Sequence, residues 1–115
     1  MATQAARQIV ITYTGDVDGV ETIEAAANVA SPGAISFVNL ALGFNSIAVP
    51  GGTPVSVTIL PPAGNTTSIT LKGVTGDTGI VLHDTDPTCI AIDSSVTTIG
   101  LTAGAAITGV RLFWT

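Results

Sequence analysis

Apolar and polar residues alternate along most of this 115-residue chain, and glycine, proline or Asp/Ser clusters interrupt the alternation. A period of two is the mark of a half-buried strand. Arg7 to Thr14 is the first such run, with Ile9, Ile11 and Tyr13 facing one way and Val10 and Thr12 the other. Gly15-Asp16-Val17-Asp18-Gly19 follows as a turn whose two glycines are free to take positive φ. Val20 to Ala27 reads two ways: Glu21, Glu24 and the alanines favour helix, while the turn before it suits a hairpin return. The turn tips this run toward strand.

Ser31-Pro32-Gly33 is a breaker, and Ala34 to Leu42 forms the third strand. Gly43-Phe44-Asn45 turns the chain into a short strand from Ser46 to Val49, which Pro50-Gly51-Gly52 ends. Pro54 to Leu60 alternates again, with Val55, Val57 and Ile59 on one face, until Pro61-Pro62, unable to donate to a ladder, closes it. Ser68 to Lys72 and Ile80 to Leu82 are strands flanking a loop punctuated by Gly73, Gly76 and Gly79. Thr88 to Ile92, Val96 to Leu101 and Ile107 to Thr115 complete the series, with Thr102 to Ala106 linking the last two. In the final strand Val110, Leu112 and Trp114 share a face opposite Arg111 and Phe113.

Eight to ten short strands at spacings of roughly ten residues point to an all-β protein. The predicted architecture is a single-domain antiparallel β-sandwich, jelly-roll-like, over residues 9–115, preceded by an N-terminal arm over residues 1–8. No stretch of helical period competes.

Composition changes the picture in one respect. Hydrophobic residues make up 46% of the chain and charged residues only 10%, against about 25% charged in ordinary soluble domains. Much of the exterior is therefore Thr, Ser, Ala and Gly, or is covered by other subunits, and the second alternative predicts a homo-oligomer. The net charge is −5, and Arg7, Lys72 and Arg111 are the only basic side chains. Three scattered cations do not make a phosphate-binding face, so nucleic acid is excluded as a partner and an anionic membrane surface is disfavoured. No apolar run has the length of a signal peptide or a membrane span, which leaves synthesis and folding in a cytoplasm. Cys89 is the sole cysteine and, in the run Cys89-Ile90-Ala91-Ile92, is expected as a buried, inert thiol.

Candidate chemistry is sparse. Asp16, Asp18, Glu21 and Glu24 cluster, but the EF-hand pattern is not met: Gly19 comes too early and no acid closes the loop. His83, Asp84 and Asp86 could hold a divalent metal, yet the chain has no second histidine, and Asp86-Pro87 reads as turn initiation. The spaced glycines 73, 76 and 79 lack the Lys-Ser/Thr pair and helix of a phosphate loop. Cys89 has one conceivable base, His83, and no Gly-x-Ser-x-Gly elbow exists. These readings give no catalytic residue, no cofactor and no metal ligand.

Three segments, SPGAISFVNL, NTTSITLKGVTGDTGIVLHDTDPT and TGVRLFWT, resemble small virion proteins of tailed bacteriophages. The resemblance spans roughly residues 8 to 115 and implies a structural role without catalytic residues. Within that group it implies a capsid decoration (cement) protein, often a trimer, that binds the major capsid protein and braces the outer shell. The alternative is a small tail, tail-fibre or baseplate protein, structural or receptor-binding. Both place the chain in the virion, assembled in the bacterial cytoplasm. The candidate interface is Arg7 in the arm, the large side chains Phe37, Phe44 and Phe113, and Lys72, Thr75 and Asp77 in and beside the glycine loop.

Overall fold

The computed structural model describes residues 4–13 and 21–32 as backbone and residues 34–115 in full. Ten strands are present among them: β1 (Gln4–Tyr13), β2 (Glu21–Pro32), β3 (Ala34–Leu40), β4 (Gly43–Ala48), β5 (Ser56–Leu60), β6 (Ile69–Lys72), β7 (Ile80–Val81), β8 (Thr88–Ala91), β9 (Thr98–Ala103) and β10 (Ile107–Trp114). β1 and β2 form their own antiparallel ladder, with Ile11 opposite Ile23 and Ile9 opposite Ala25. The ambiguous second run is thus strand. Residues 4–8, expected as an arm, belong to β1, and the sandwich itself starts at β3. Period-two alternation identifies strands but does not say which sheet they join. Of the breaker, Ser31 and Pro32 lie in β2, where a terminal position tolerates the missing proline N–H. The Gly15–Gly19 turn lies outside the described residues.

The other eight strands form two four-stranded antiparallel sheets, ordered β3-β10-β5-β8 and β4-β9-β6-β7. Lettered B to I in chain order, these are B-I-D-G and C-H-E-F, the strand order of a jelly roll. The fold class is the one the alternation predicts.

Cross-strand register explains the core. One inner row of the BIDG sheet runs Ala34, Trp114, Val57, Ile90, and the next runs Ser36, Leu112, Ile59, Thr88. From the CHEF sheet, Ile47, Ile69, Ile99, Leu101 and Ala103 meet them, all buried. Val57, Ile59, Val110 and Leu112 are fully inaccessible. Trp114 is just as deep, and its indole Nε1–H donates to Ser36 Oγ at 2.9 Å, so the largest core side chain leaves no polar atom unpaired there.

Local chemistry moves three boundaries. Gly43-Phe44-Asn45, expected as a turn, begins β4, because Asn45 ties off the chain earlier, at Ala41-Leu42. Its Oδ1 accepts the Ala41 N–H at 2.9 Å, while Nδ2 donates to the Ala41, Gly43 and Leu101 carbonyls at 2.9–3.1 Å. Val55, expected on the buried face with Val57, is 48% exposed. The N–H groups of Val55 and Ser56 both reach the Thr115 carbonyl, a bulge that turns Val55 outward and puts Ser56 inside, hydroxyl to hydroxyl with Thr115. Finally β9 runs on to Ala103, which shortens the expected linker to residues 104–106.

Candidate interaction surface

The two sheets have unlike outer faces. On BIDG, one row crosses the strands as Ile35, Phe113, Thr58, Cys89, and the next as Phe37, Arg111, Leu60. Phe37 is 74% exposed and Ile35 55%. Phe113 is half-buried, with the Arg111 guanidinium 5.7 Å from its ring centroid, so the one charge on this face is itself stacked on an aromatic. The CHEF outer rows are Phe44, Thr102, Thr70, Val81 and Ser46, Gly100, Lys72, mostly hydroxyl-bearing or small.

Of the residues proposed from sequence, Phe37 and Phe113 come together on the BIDG face. Phe44 and Lys72 lie on the opposite sheet. Phe44 is half-buried because its ring covers Gly100, where a Cβ would collide with it, so this side chain is structural packing rather than an open contact. Thr75 and Asp77 lie in the exposed β6–β7 loop. The Asp77 carboxylate accepts the Gly73 and Val74 N–H groups at 3.1 and 2.9 Å, which commits it to shaping the turn. Arg7 pairs with Ala27 in the β1–β2 ladder. Sequence reasoning missed Ile35, whose exposure follows from sharing the parity of Phe37 on an edge strand. It also misplaced Cys89, which is exposed: Ile90 takes the inner position on β8, and a four-residue apolar run does not reveal which alternate residues face inward.

Asp77, Asp84, Asp86 and Asp93 occupy loops, and none of them stands in the outer rows of the BIDG sheet. At Asp93, hydrogen bonds from the Ser95 side chain and backbone N–H hold the carboxyl below its ordinary range, against a small opposing effect of burial. That interaction organises the β8–β9 turn.

Two shallow clefts accompany these surfaces. One of about 190 Å³ lies between the β4–β5 and β8–β9 connections, near Pro50, Pro54 and Val96. The other, of about 310 Å³, is lined by Ser68, His83 and Asp84 among others, the residue types of a nucleophilic triad. Its geometry is different. His83 Nδ1 accepts the N–H groups of Thr85 and Asp86 at 3.2 and 2.9 Å, with the Asp84 carboxylate 3.7 Å away. A triad needs that nitrogen to donate to the carboxylate. Here the imidazole instead caps its own loop, and Asn65 Nδ2 fastens that loop through the Asp84 carbonyl at 2.8 Å. Among the described residues, no three His, Cys, Asp or Glu side chains converge as a metal cluster.

Comparisons with protein-family models, with curated proteins and with solved structures give no match.

Proposed function

We propose that this chain is a non-enzymatic structural protein of a bacteriophage virion, a capsid decoration protein that binds the outer shell and stabilises it. The observation that carries the reading is the BIDG outer face: Ile35, Phe37 and Phe113 on a rigid sheet, with one cation and no acid. Exposed apolar side chains grouped on one face mark an interaction site. A jelly roll whose core is already closed by Trp114, Leu112 and Ile59 does not need them for folding. The resemblance of the segments around β3, β6–β7 and β10 to small phage virion proteins supplies the setting.

The mechanism is mechanical. Seating the face on shell subunits removes Phe37, Ile35 and the Phe113 ring from water at about 25 cal/mol per Å² of apolar surface. Because the protein binds the assembled shell and not its separated parts, that energy raises the cost of disassembly. The partners are the major capsid protein and further copies of this chain. The loop acids would suit an outer shell of positive potential.

Quantitative mass spectrometry of purified particles, with the major capsid protein as internal standard, tests this. A copy number comparable to that of the shell protein is the expected result. A handful per particle moves the chain to the tail or baseplate, and absence from particles overturns the virion reading.

A further inference from the structure

The sandwich is unfinished along one margin. β3 is an edge of the BIDG sheet, so one side of its backbone has no ladder partner among the described strands. Natural edge strands are shortened, charged, interrupted by proline or covered. Two of the other three edges of the sandwich follow this rule. β7 has two residues, and β8 has four, set between Pro87 and the turn at Asp93. β4, at six residues, also lacks charge and proline, but its large outward side chain, Phe44, is folded over Gly100. β3 departs from the rule: Ala34–Leu40 is seven residues with no charge and no proline.

Both faces of that margin are open as well. Outward, Ile35 and Phe37 stand exposed. Inward, Ala34, Ser36 and Val38 are only half-buried, whereas their neighbours Trp114, Leu112 and Val110 on β10 are at most 1% exposed. An added strand would complete the ladder, the inner layer and the outer face together.

We propose that the occupant is β3 of a second copy, paired antiparallel about a two-fold axis through Phe37. Three features favour a second copy over a foreign strand. An antiparallel strand pairs with itself isologously, so the assembly closes as a dimer and does not propagate as a fibre. The strand is uncharged and no acid lies between Glu24 and Asp77 in the sequence, so two copies of this highly acidic chain meet here without like charges opposed. Centring on Phe37, the middle residue of β3, uses all seven positions. It sets Phe37 against its twin, Ile35 against Asn39 and Ser36 against Val38. The two BIDG sheets then become one eight-stranded sheet with Ile35 and Phe37 of both copies at the centre of its outer face. This pairing is a property of the isolated protein and holds or fails independently of the virion reading.

The register supplies the test. In the full chain carrying Cys89→Ser, which removes the exposed native thiol, one variant adds Phe37→Cys and another Ile35→Cys. Directly opposed residues have Cα atoms about 4.5–5.5 Å apart, within disulfide reach. Position 35 and its twin are offset by four residues, about 13 Å along the strand. Mild oxidation is expected to give a covalent dimer from Phe37→Cys and at least tenfold less from Ile35→Cys. Sedimentation of the native protein is expected to show a reversible dimer, and Phe37→Lys, which sets two ammonium groups face to face, to raise its dissociation constant at least tenfold. Equal cross-linking at both positions, none at either, a monomer or trimer by sedimentation, or a dimer untouched by Phe37→Lys overturns the pairing.

Discussion

Gly100 and Phe44 give the sharpest test of how the CHEF sheet is built. Gly100 is fully enclosed on β9, opposite Ser46 on one side and Lys72 on the other. A Cβ there would fall on the Phe44 ring, 2.7 Å from Cζ, and 2.9 Å from the Lys72 carbonyl oxygen. Its backbone is not in the left-handed region, so alanine meets no intrinsic strain. In an open strand position Gly→Ala gains about 0.5–1 kcal/mol. Here overpacking reverses the sign, and Gly100→Ala is expected to cost about 1–3 kcal/mol. Phe44→Ala alone forfeits part of a half-buried ring, about 1–2 kcal/mol.

The decisive quantity is the coupling. With the ring gone, only the Lys72 carbonyl still crowds the new methyl, and the cost of Gly100→Ala is expected to fall by at least about 1 kcal/mol, beyond the 0.3–0.5 kcal/mol scatter of independent sites. Urea unfolding of the four proteins at one chain concentration measures it, fixing any contribution from self-association. For a sandwich of this size 1 kcal/mol corresponds to about 4–8 °C in Tm. If Gly100→Ala costs the same with and without the ring, Phe44 is not what demands the glycine, and its assignment as packing rather than contact surface is refuted.

Ser36→Ala strips the Trp114 indole N–H of its acceptor at the half-buried margin of the core; a loss of about 0.5–1.5 kcal/mol with altered tryptophan fluorescence is expected, and an unchanged urea midpoint would contradict it. Thr102→Val removes a buried hydroxyl that has no hydrogen-bond partner while keeping the branched shape, so a gain of up to about 1 kcal/mol is expected, checked by thermal unfolding. NMR titration is expected to place the Asp93 pKa below the ordinary carboxylate range, and Ser95→Ala to raise it toward that range. Because the folded-state value is depressed, the ionised turn favours folding above the unfolded-state pKa and loses that contribution as pH falls through the folded value.

Legibility followed the physics of each signal. Alternation alone put Val57 with Ile59, and Val110 and Leu112 with Trp114, on shared faces, and those faces line the core, since a strand with one buried face has no other register open to it. It said nothing about sheet membership, and so the ladder of β1 with β2, the pairing of β3 with β10 and the jelly-roll order came only from the structure. Short apolar runs failed differently. In Cys89-Ile90-Ala91-Ile92 both alternate sets were apolar, and the larger pair, Ile90 and Ile92, took the core side while the thiol went outward. Asn45 misled because its side chain makes the turn from within the following strand, four residues beyond Ala41, whose backbone it holds. Two of the three apolar members of the candidate surface, Phe37 and Phe113, were visible as large aromatics; the third, Ile35, depended on β3 being an edge.

The low charge content acquires a specific meaning from that edge. A chain with few charged residues could have spread its neutrality over Thr, Ser and Gly, and the CHEF outer face does so across Thr102, Thr70, Ser46 and Gly100, with Val81 its exposed apolar exception. The BIDG face does not. Its exposed Ile35 and Phe37 sit on the strand whose backbone is also unpaired along one side and whose inner residues Ala34, Ser36 and Val38 are only half-buried. A fold under selection only for solubility would have broken at least one of these three features with a lysine, a proline or a bulge. Their coincidence on seven consecutive residues, while Asp77, Asp84, Asp86 and Asp93 are held in loops, is the pattern expected of a margin completed by association. Phe37 is the residue on which both proposals bear, and its two roles separate experimentally. Self-pairing is read from the free protein in solution, and shell binding from the particle, so a substitution that abolishes one and spares the other assigns the side chain to its partner.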